Sequence, residues 1–259
     1  SFNTSQDTDS IFLDAKNMVA QIMGSDIKVS LNISEDKLWF VGDFEVDETY
    51  NINFSYQAQP KQTLYFVGFE DDAKTNDQIF TQGQGKYTSH WLPSIDDMND
   101  KIEFDLTLII PNYYGALANG KLIEQWDEND SLSRWSYDMQ NPMSSYLVAI
   151  SIGDYIREIH QSTSGVELHQ YLLKKDSLYL EPTYRHTKQI FDYLENKIGV
   201  NYPWQNYKQV PVRDFLYAGM ENTSLTIFSD AFVVDSIGYF DRNYINVKAH
   251  ELAHQWFGN

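Results

Sequence analysis

Apolar and polar positions alternate along much of the N-terminal part of the chain. Ile27, Val29, Leu31 and Ile33 sit between polar neighbours, and Tyr50, Ile52, Phe54 and Tyr56 repeat the pattern. The longest run is Ile102, Phe104, Leu106, Leu108 and Ile110, with Glu103, Asp105 and Thr107 on the other face. A period of two with one apolar face predicts half-buried antiparallel strands. Asn119–Gly120, between Gly115–Ala118 and Lys121–Ile123, has the chemistry of a two-residue hairpin turn. This part reads as a β domain.

The pattern changes near Ser162-Thr-Ser-Gly165, a small polar cluster suited to a junction between domains. One more strand is predicted over 166–173. Tyr184, Thr187, Phe191, Leu194 and Ile198 then recur at spacings of three and four, which predicts an amphipathic helix. Gly199 stands where a helix C-cap belongs, and Pro203 follows. A second helix is predicted over 244–257, with Ile245, Ala249, Leu252, Ala253 and Trp256 as its packing side. The fold class is therefore α+β, an antiparallel β domain over 1–163 followed by a mixed part over 164–259. No internal repeat or low-complexity segment interrupts this order.

The 259 residues are 42% hydrophobic, enough for a sizeable core. No apolar stretch is long enough for a membrane span. Aromatics at 15% favour β structure. The net charge of −18 is spread along the chain, which repels nucleic acid and anionic membranes. Such a surface keeps the protein soluble and can also draw in a cationic group, such as a peptide's protonated amino terminus. With no Cys, disulfides and thiolate metal sites are excluded. Neither that nor the start of the chain, which resembles no signal peptide, assigns a compartment.

His250-Glu251-Leu252-Ala253-His254 carries the strongest chemical signal. Two histidines four apart share one helix face, about 6 Å apart along the axis, so their imidazoles can converge on one metal ion. Glu251 lies a little way round the helix, placed to take a proton from a water on the metal's open position. The pattern predicts a zinc hydrolase with His250 and His254 as ligands and Glu251 as general base. His90, His160, His169 and His186 are read as structural, because nothing pairs them at ligand spacing.

Two further stretches turn this motif into a family resemblance. The full run reads HELAHQWFGN, and Ala218-Gly219-Met220-Glu221-Asn222 stands before it. Together they closely resemble the gluzincin zinc aminopeptidases, the family of aminopeptidase N and leukotriene hydrolase. The resemblance implies a saddle-like or sandwich β domain, then the first part of a thermolysin-like catalytic domain. It implies that Glu221 binds the substrate's free α-amine, and that the backbone at Gly219 and Met220 bonds the substrate's main chain. Ala218 replaces the family's usual glycine, which implies slightly altered backbone contacts. Thr81-Gln82-Gly83-Gln84 resembles a segment that family members extend into the active site, which puts Gln84 near the substrate's amine or first carbonyl and Gln82 beside it. Pro142–Leu147, with Gly153-Asp154-Tyr155, resembles the family's last β-domain segment.

The implied cofactor is Zn2+, one per complete site, and the implied partners are peptides with a free N-terminus. In the family a third ligand, a Glu, and a Tyr that stabilises the oxyanion follow the second histidine, and both would lie beyond Asn259. The family's opening strands also lack a counterpart, so the chain reads as a fragment. By itself it is expected to bind zinc weakly and to turn over little or no substrate. Three other readings stay open: a related zinc hydrolase with a non-peptide substrate, a non-catalytic peptide-binding module, and an endopeptidase. Glu221 opposes the endopeptidase, since its charge seeks a free amine.

Overall fold

The computed structural model describes residues 1–70 and 74–259. At the N-terminal end, the three-stranded antiparallel sheet of Thr8–Asp14, Lys37–Phe44 and Ser30–Ser34 faces the antiparallel pair Met18–Ser25 and Ile52–Ala58. Ala15, Met18, Leu38 and Phe40 are buried between them, and Ile22, Leu31, Phe54 and Tyr56 pack against that centre. Along Ile52–Ala58 burial alternates residue by residue, so one face closes a sandwich and the other is wet. Fully burying a side chain such as Leu38 contributes about 2 kcal/mol.

The rest of the molecule is stacked in layers. Leu106–Pro111, Leu132–Asp138 and Lys121–Asp127 form a three-stranded sheet. A four-stranded sheet, ordered Gly115–Ala118, Ile150–Gly153, Gln78–Thr81 and Leu64–Val67, packs on it through Ile110, Ala116, Tyr137 and Ile152. The other side of that sheet buries Phe80, Leu117, Leu147 and Ala149 against Val210, Met220 and Ile227. These last residues belong to a five-stranded sheet, ordered Tyr155–Gln161, Glu167–Leu173, Asn206–Val212, Leu225–Ser229 and Gly219–Met220. The helices Thr187–Ile198 and Ile245–Ala253 cover its far face through Leu168, Phe191, Tyr207 and Leu252. An N-terminal β region followed by the start of an α+β region is the architecture that the periodicity predicts.

Several local expectations hold. The helix Thr187–Ile198 ends on Gly199 at φ +73°, the left-handed conformation that glycine adopts without strain. The strand predicted over 166–173 runs from Glu167 to Leu173.

Others are corrected. The run from Ile102 to Ile110 is not one strand: Lys101–Ile102 pairs with Met143–Ser144, and Leu106–Pro111 pairs with Leu132–Asp138. Phe104, in the gap, is still buried, so alternation reported burial rather than continuous pairing. Of the run from Ile27 to Ile33, only Ser30–Ser34 is strand, and Ile33 is exposed. Asn119–Gly120 turns the chain, with Gly120 at φ +75°, but it closes no hairpin. Gly115–Ala118 pairs with Ile150–Gly153, whereas Lys121–Asp127 pairs with Leu132–Asp138 in another sheet. A Cβ on Gly120 would strike the Asp138 carbonyl, so the turn requires glycine for room as well as for φ. The helix predicted over 244–257 stops at Ala253, and residues beyond it form a tight turn. Ser162–Gly165 is the turn of the hairpin Tyr155–Gln161/Glu167–Leu173, so the five-stranded sheet runs across position 163.

Candidate active site

The helix Ile245–Ala253 owes its position to one apolar side. Leu252 is buried among Leu168, Ile190, Phe191, Tyr202 and Tyr207, and Ile245, Ala249 and Trp256 pack around it. Burying that side turns His250 and His254 the other way. Their Nε2 atoms lie 3.2 Å apart, with ring centroids 4.8 Å apart and ring planes at 88°. Two Zn–N bonds of 2.0–2.1 Å at the tetrahedral angle would separate the nitrogens by about 3.3 Å, so this pair fits a tetrahedral metal site. His254 Nδ1 faces the Phe257 carbonyl at 3.1 Å. A carbonyl only accepts, so this contact favours the proton on Nδ1 and leaves Nε2, which faces His250 Nε2, as the acceptor atom.

Glu251 is buried, and its carboxylate leans on Gly219. A Cβ at Gly219 would lie 2.6 Å from the carboxylate carbon and 2.7 Å from Oε1, so any other residue there would displace the Glu251 carboxylate. The close approach at Gly219 is thus made by this protein's own acid. Burial and, next, the Glu221 charge push the Glu251 carboxyl up to about 7, while His254 pulls it down. A carboxyl held that high exchanges protons near neutrality, as a general base requires.

Glu221 follows the two-residue strand Gly219–Met220, which pairs with Phe228 and Ile227 at one edge of the five-stranded sheet. Met220 is in the core, Glu221 is half-buried and Ala218 is exposed, with the Ala218 carbonyl bonded to Ser229 N at 3.1 Å. The Glu221 backbone carbonyl is clamped by Gln255 Nε2 at 3.1 Å and by Asn259 Nδ2 at 2.9 Å. Its carboxylate forms no ion pair among the described residues. Gln82 is buried, accepts Gln84 N on its Oε1 at 2.8 Å, and leaves its Nε2 without a partner among the described residues. Gln84 itself is exposed. Gly83 packs on the Tyr146 carbonyl, and the burial of Tyr146, with the Glu221 charge beside it, raises the Tyr146 phenol. The glutamine loop therefore sits next to Tyr146, whose phenol feels the Glu221 charge.

The remaining histidines pair elsewhere: His90 with Gln62, His160 with Glu158, His169 with Glu167, and His186 with Gln189 and Tyr239. Among the described residues no third His, Asp or Glu converges with His250 and His254. The trio that does converge is Glu103, Asp105 and Asp138 in the β region, a mostly exposed acidic cluster.

Sequence reasoning passed over the residues that lock these parts together. Gln255, 1% exposed, bonds the Glu221 and Asn222 carbonyls through Nε2 and accepts Ser224 N at 2.8 Å. Asn119, fully buried, donates to the Leu147 and Thr223 carbonyls at 3.0 and 2.6 Å and accepts Ala149 N at 2.6 Å. Asn222 also reaches the Leu147 carbonyl, at 3.3 Å. Only their amide chemistry hinted at this, and amides read equally well as turn or surface residues.

Residues 183–259 match the peptidase family M1 domain, and residues 1–147 match the peptidase M1 N-terminal domain. The chain is similar to glutamyl aminopeptidase of Homo sapiens, 29% identical over 76% of this chain and 21% of that protein. It is similar to aminopeptidase Q of Mus musculus, 26% identical over 88% of this chain and 45% of that protein. It is also similar to puromycin-sensitive aminopeptidase of Caenorhabditis elegans, 30% identical over 69% of this chain and 19% of that protein. The chain spans less than half the length of these relatives.

Proposed function

The chain belongs to the M1 peptidase family, and from that premise we propose that it carries the first part of a zinc aminopeptidase active site. The observation that carries this reading is the convergence of His250 and His254 Nε2 at 3.2 Å, with the Glu251 carboxyl buried beside them. A zinc ion bound there would supply a Lewis acid and lower the pKa of an attacking water to roughly 7. With such a water in place, Glu251 would act as the base that takes its proton and the acid that passes it to the leaving amine. Gly219, by its missing side chain, leaves Glu251 the space it occupies.

Glu221 sets the exopeptidase character. A half-buried carboxylate without a cationic partner among the described residues suits a substrate ammonium group. Gly219–Met220 is the last strand of its sheet, so among the described residues no strand pairs with its outer edge, which suits an extended peptide backbone. Gln84, which is exposed, suits the substrate's amine or first carbonyl, and the buried Gln82 braces it by accepting its backbone N–H at 2.8 Å. The substrate is a peptide with a free amino terminus, positioned with its first carbonyl over the metal site.

The test is acetylation. A short peptide titrated into the zinc-loaded chain should bind measurably, and its N-acetyl form should bind at least about tenfold more weakly, the cost of leaving one charged hydrogen bond unmade. Glu221→Gln should remove that discrimination. Equal binding of the two peptides would overturn the aminopeptidase assignment and favour an endopeptidase or a non-catalytic peptide module.

A further inference from the structure

Tyr146 of the β region bonds the turn that follows the second histidine, and none of the hydrolytic roles above uses that bond. Tyr146 Oη donates to the Gly258 carbonyl at 3.0 Å. One residue earlier, the Phe257 carbonyl receives the His254 Nδ1 proton. Gly258 has φ +118°, and a Cβ there would stand 3.2 Å from His254 Nδ1, so the turn folds directly over the imidazole. At its root Tyr146 is held firmly. Its ring packs on the cluster of Phe80, Leu147 and Met220, and its carbonyl lies against Gly83.

Resting on the zinc reading of His250 and His254, we propose that Tyr146 is a positioning residue for the metal site. Its hydroxyl pins the turn after the helix, and the pinned turn holds the Phe257 carbonyl where it keeps His254 in the Nδ1-protonated tautomer.

A neutral imidazole has two tautomers, and a metal ligand bound through Nε2 needs the one with its proton on Nδ1. An acceptor fixed beside Nδ1 selects that form and aims the ring. The acceptor here lies past the helix end, where backbone bonding thins and turns fray. Phe257 N bonds the Ala253 and His254 carbonyls at 3.2 and 3.1 Å, and the Tyr146 bond tethers the turn at Gly258, one residue before Asn259, which Lys101 Nζ and the Glu221 carbonyl hold. Burial and the Glu221 charge raise the Tyr146 phenol, so it remains a proton donor throughout the neutral range. The β region thereby acts on the catalytic part at the metal itself, as well as through packing.

Tyr146→Phe tests this, because it keeps the ring and deletes one hydroxyl. In the metal-free chain labelled with 15N-histidine, the His254 resonances should move from a dominant Nδ1–H tautomer towards a mixture. Zinc affinity, measured by competition with a chelator, should fall at least about threefold, less than the 10–100-fold typical of a direct ligand partner. A merely structural hydroxyl would lower the metal-free melting temperature and leave the tautomer unchanged, and that result would overturn the proposal. Unchanged tautomer and zinc affinity within twofold of wild type would overturn it as well. If the wild-type chain holds no zinc, the zinc reading fails, and the tautomer measurement still decides the role of Tyr146.

Discussion

The N-terminal sandwich and the seam between the β region and the histidine helix solve burial in opposite ways. In the sandwich, Ile52, Phe54, Tyr56 and Ala58 turn inward while Asn53, Ser55 and Gln57 face water. Its stability is apolar area, which is non-directional and tolerant. In the seam, all seven residues of Asn206–Val212 are buried, and Asn206, Lys208 and Gln209 are among them. Asn206 Nδ2 bonds the Gly120 carbonyl at 3.1 Å, and Thr187 Oγ1 bonds Gln209 Oε1 at 3.1 Å. With Asn119, Asn222 and Gln255, these residues form a buried polar lattice whose members depend on one another's geometry. The difference teaches where this molecule is fragile: an apolar face forgives a changed shape, whereas an unpaired buried amide costs its whole desolvation.

The comparison breaks hardest at Gln255. Gln255→Leu leaves Ser224 N without its partner and takes one bond each from the Glu221 and Asn222 carbonyls, which keep Asn259 Nδ2 and Leu225 N, and urea unfolding should show a loss of about 3 kcal/mol. A loss below about 1 kcal/mol would mean that the seam repacks as readily as the sandwich.

Lys208 sharpens the contrast through pH. Burial lowers its amine to about 7, and its Nζ donates to the Gly120 carbonyl and, at 2.5 Å, to Asn206 Oδ1. The unfolded amine keeps its proton to near pH 10.4, so between about pH 7 and that value the unfolded chain binds more protons. Stability contributed by this group therefore rises with pH across that window, and below pH 7 the folded state carries the full cost of a buried charge. Lys208→Met should abolish that slope, which is at most about 1.4 kcal/mol per pH unit for one proton, read as the difference between two pH–stability curves.

Gly219→Ala comes next. The added methyl collides with the Glu251 carboxylate, and overpacking of this kind costs about 2 kcal/mol. Binding of a free peptide should weaken as the strand edge shifts, while the N-terminal sandwich keeps its structure by far-ultraviolet circular dichroism. Leu38→Met, at the centre of the sandwich, gives the smallest effect. A volume-conserving exchange of a fully buried residue should cost about 1 kcal/mol by the same urea measurement.

What could be read from the amino-acid order follows the same division. Period two announced the sandwich because its two faces meet different solvents, and spacings of three and four announced the helices with the Gly199 cap. The same rule failed at Asn206–Val212, where both faces are buried and polar residues lie inside. The Asn-Gly turn was legible but its partner strands were not, since turn chemistry sets local dihedrals and leaves pairing to the rest of the chain. Of the site, the His250–His254 pair was legible from four residues of spacing. The proximity of Glu251 to Gly219 was not, because it joins segments far apart in the chain.

By itself, then, the order of residues determined what neighbours along the chain can settle: strand and helix periods, a glycine cap, two histidines on one helix face with an acid between them. Tertiary structure alone decided that Asn119 braces Thr223, 104 residues away. It also decided that Gln82 is buried where Gln84 is exposed, that Gly219 makes room for Glu251, and that a carbonyl past the helix end holds His254. The reason is physical. Backbone dihedrals and side-chain periods are local properties, whereas hydrogen-bond partners and close contacts are assigned only when distant segments of the chain compete for the same space.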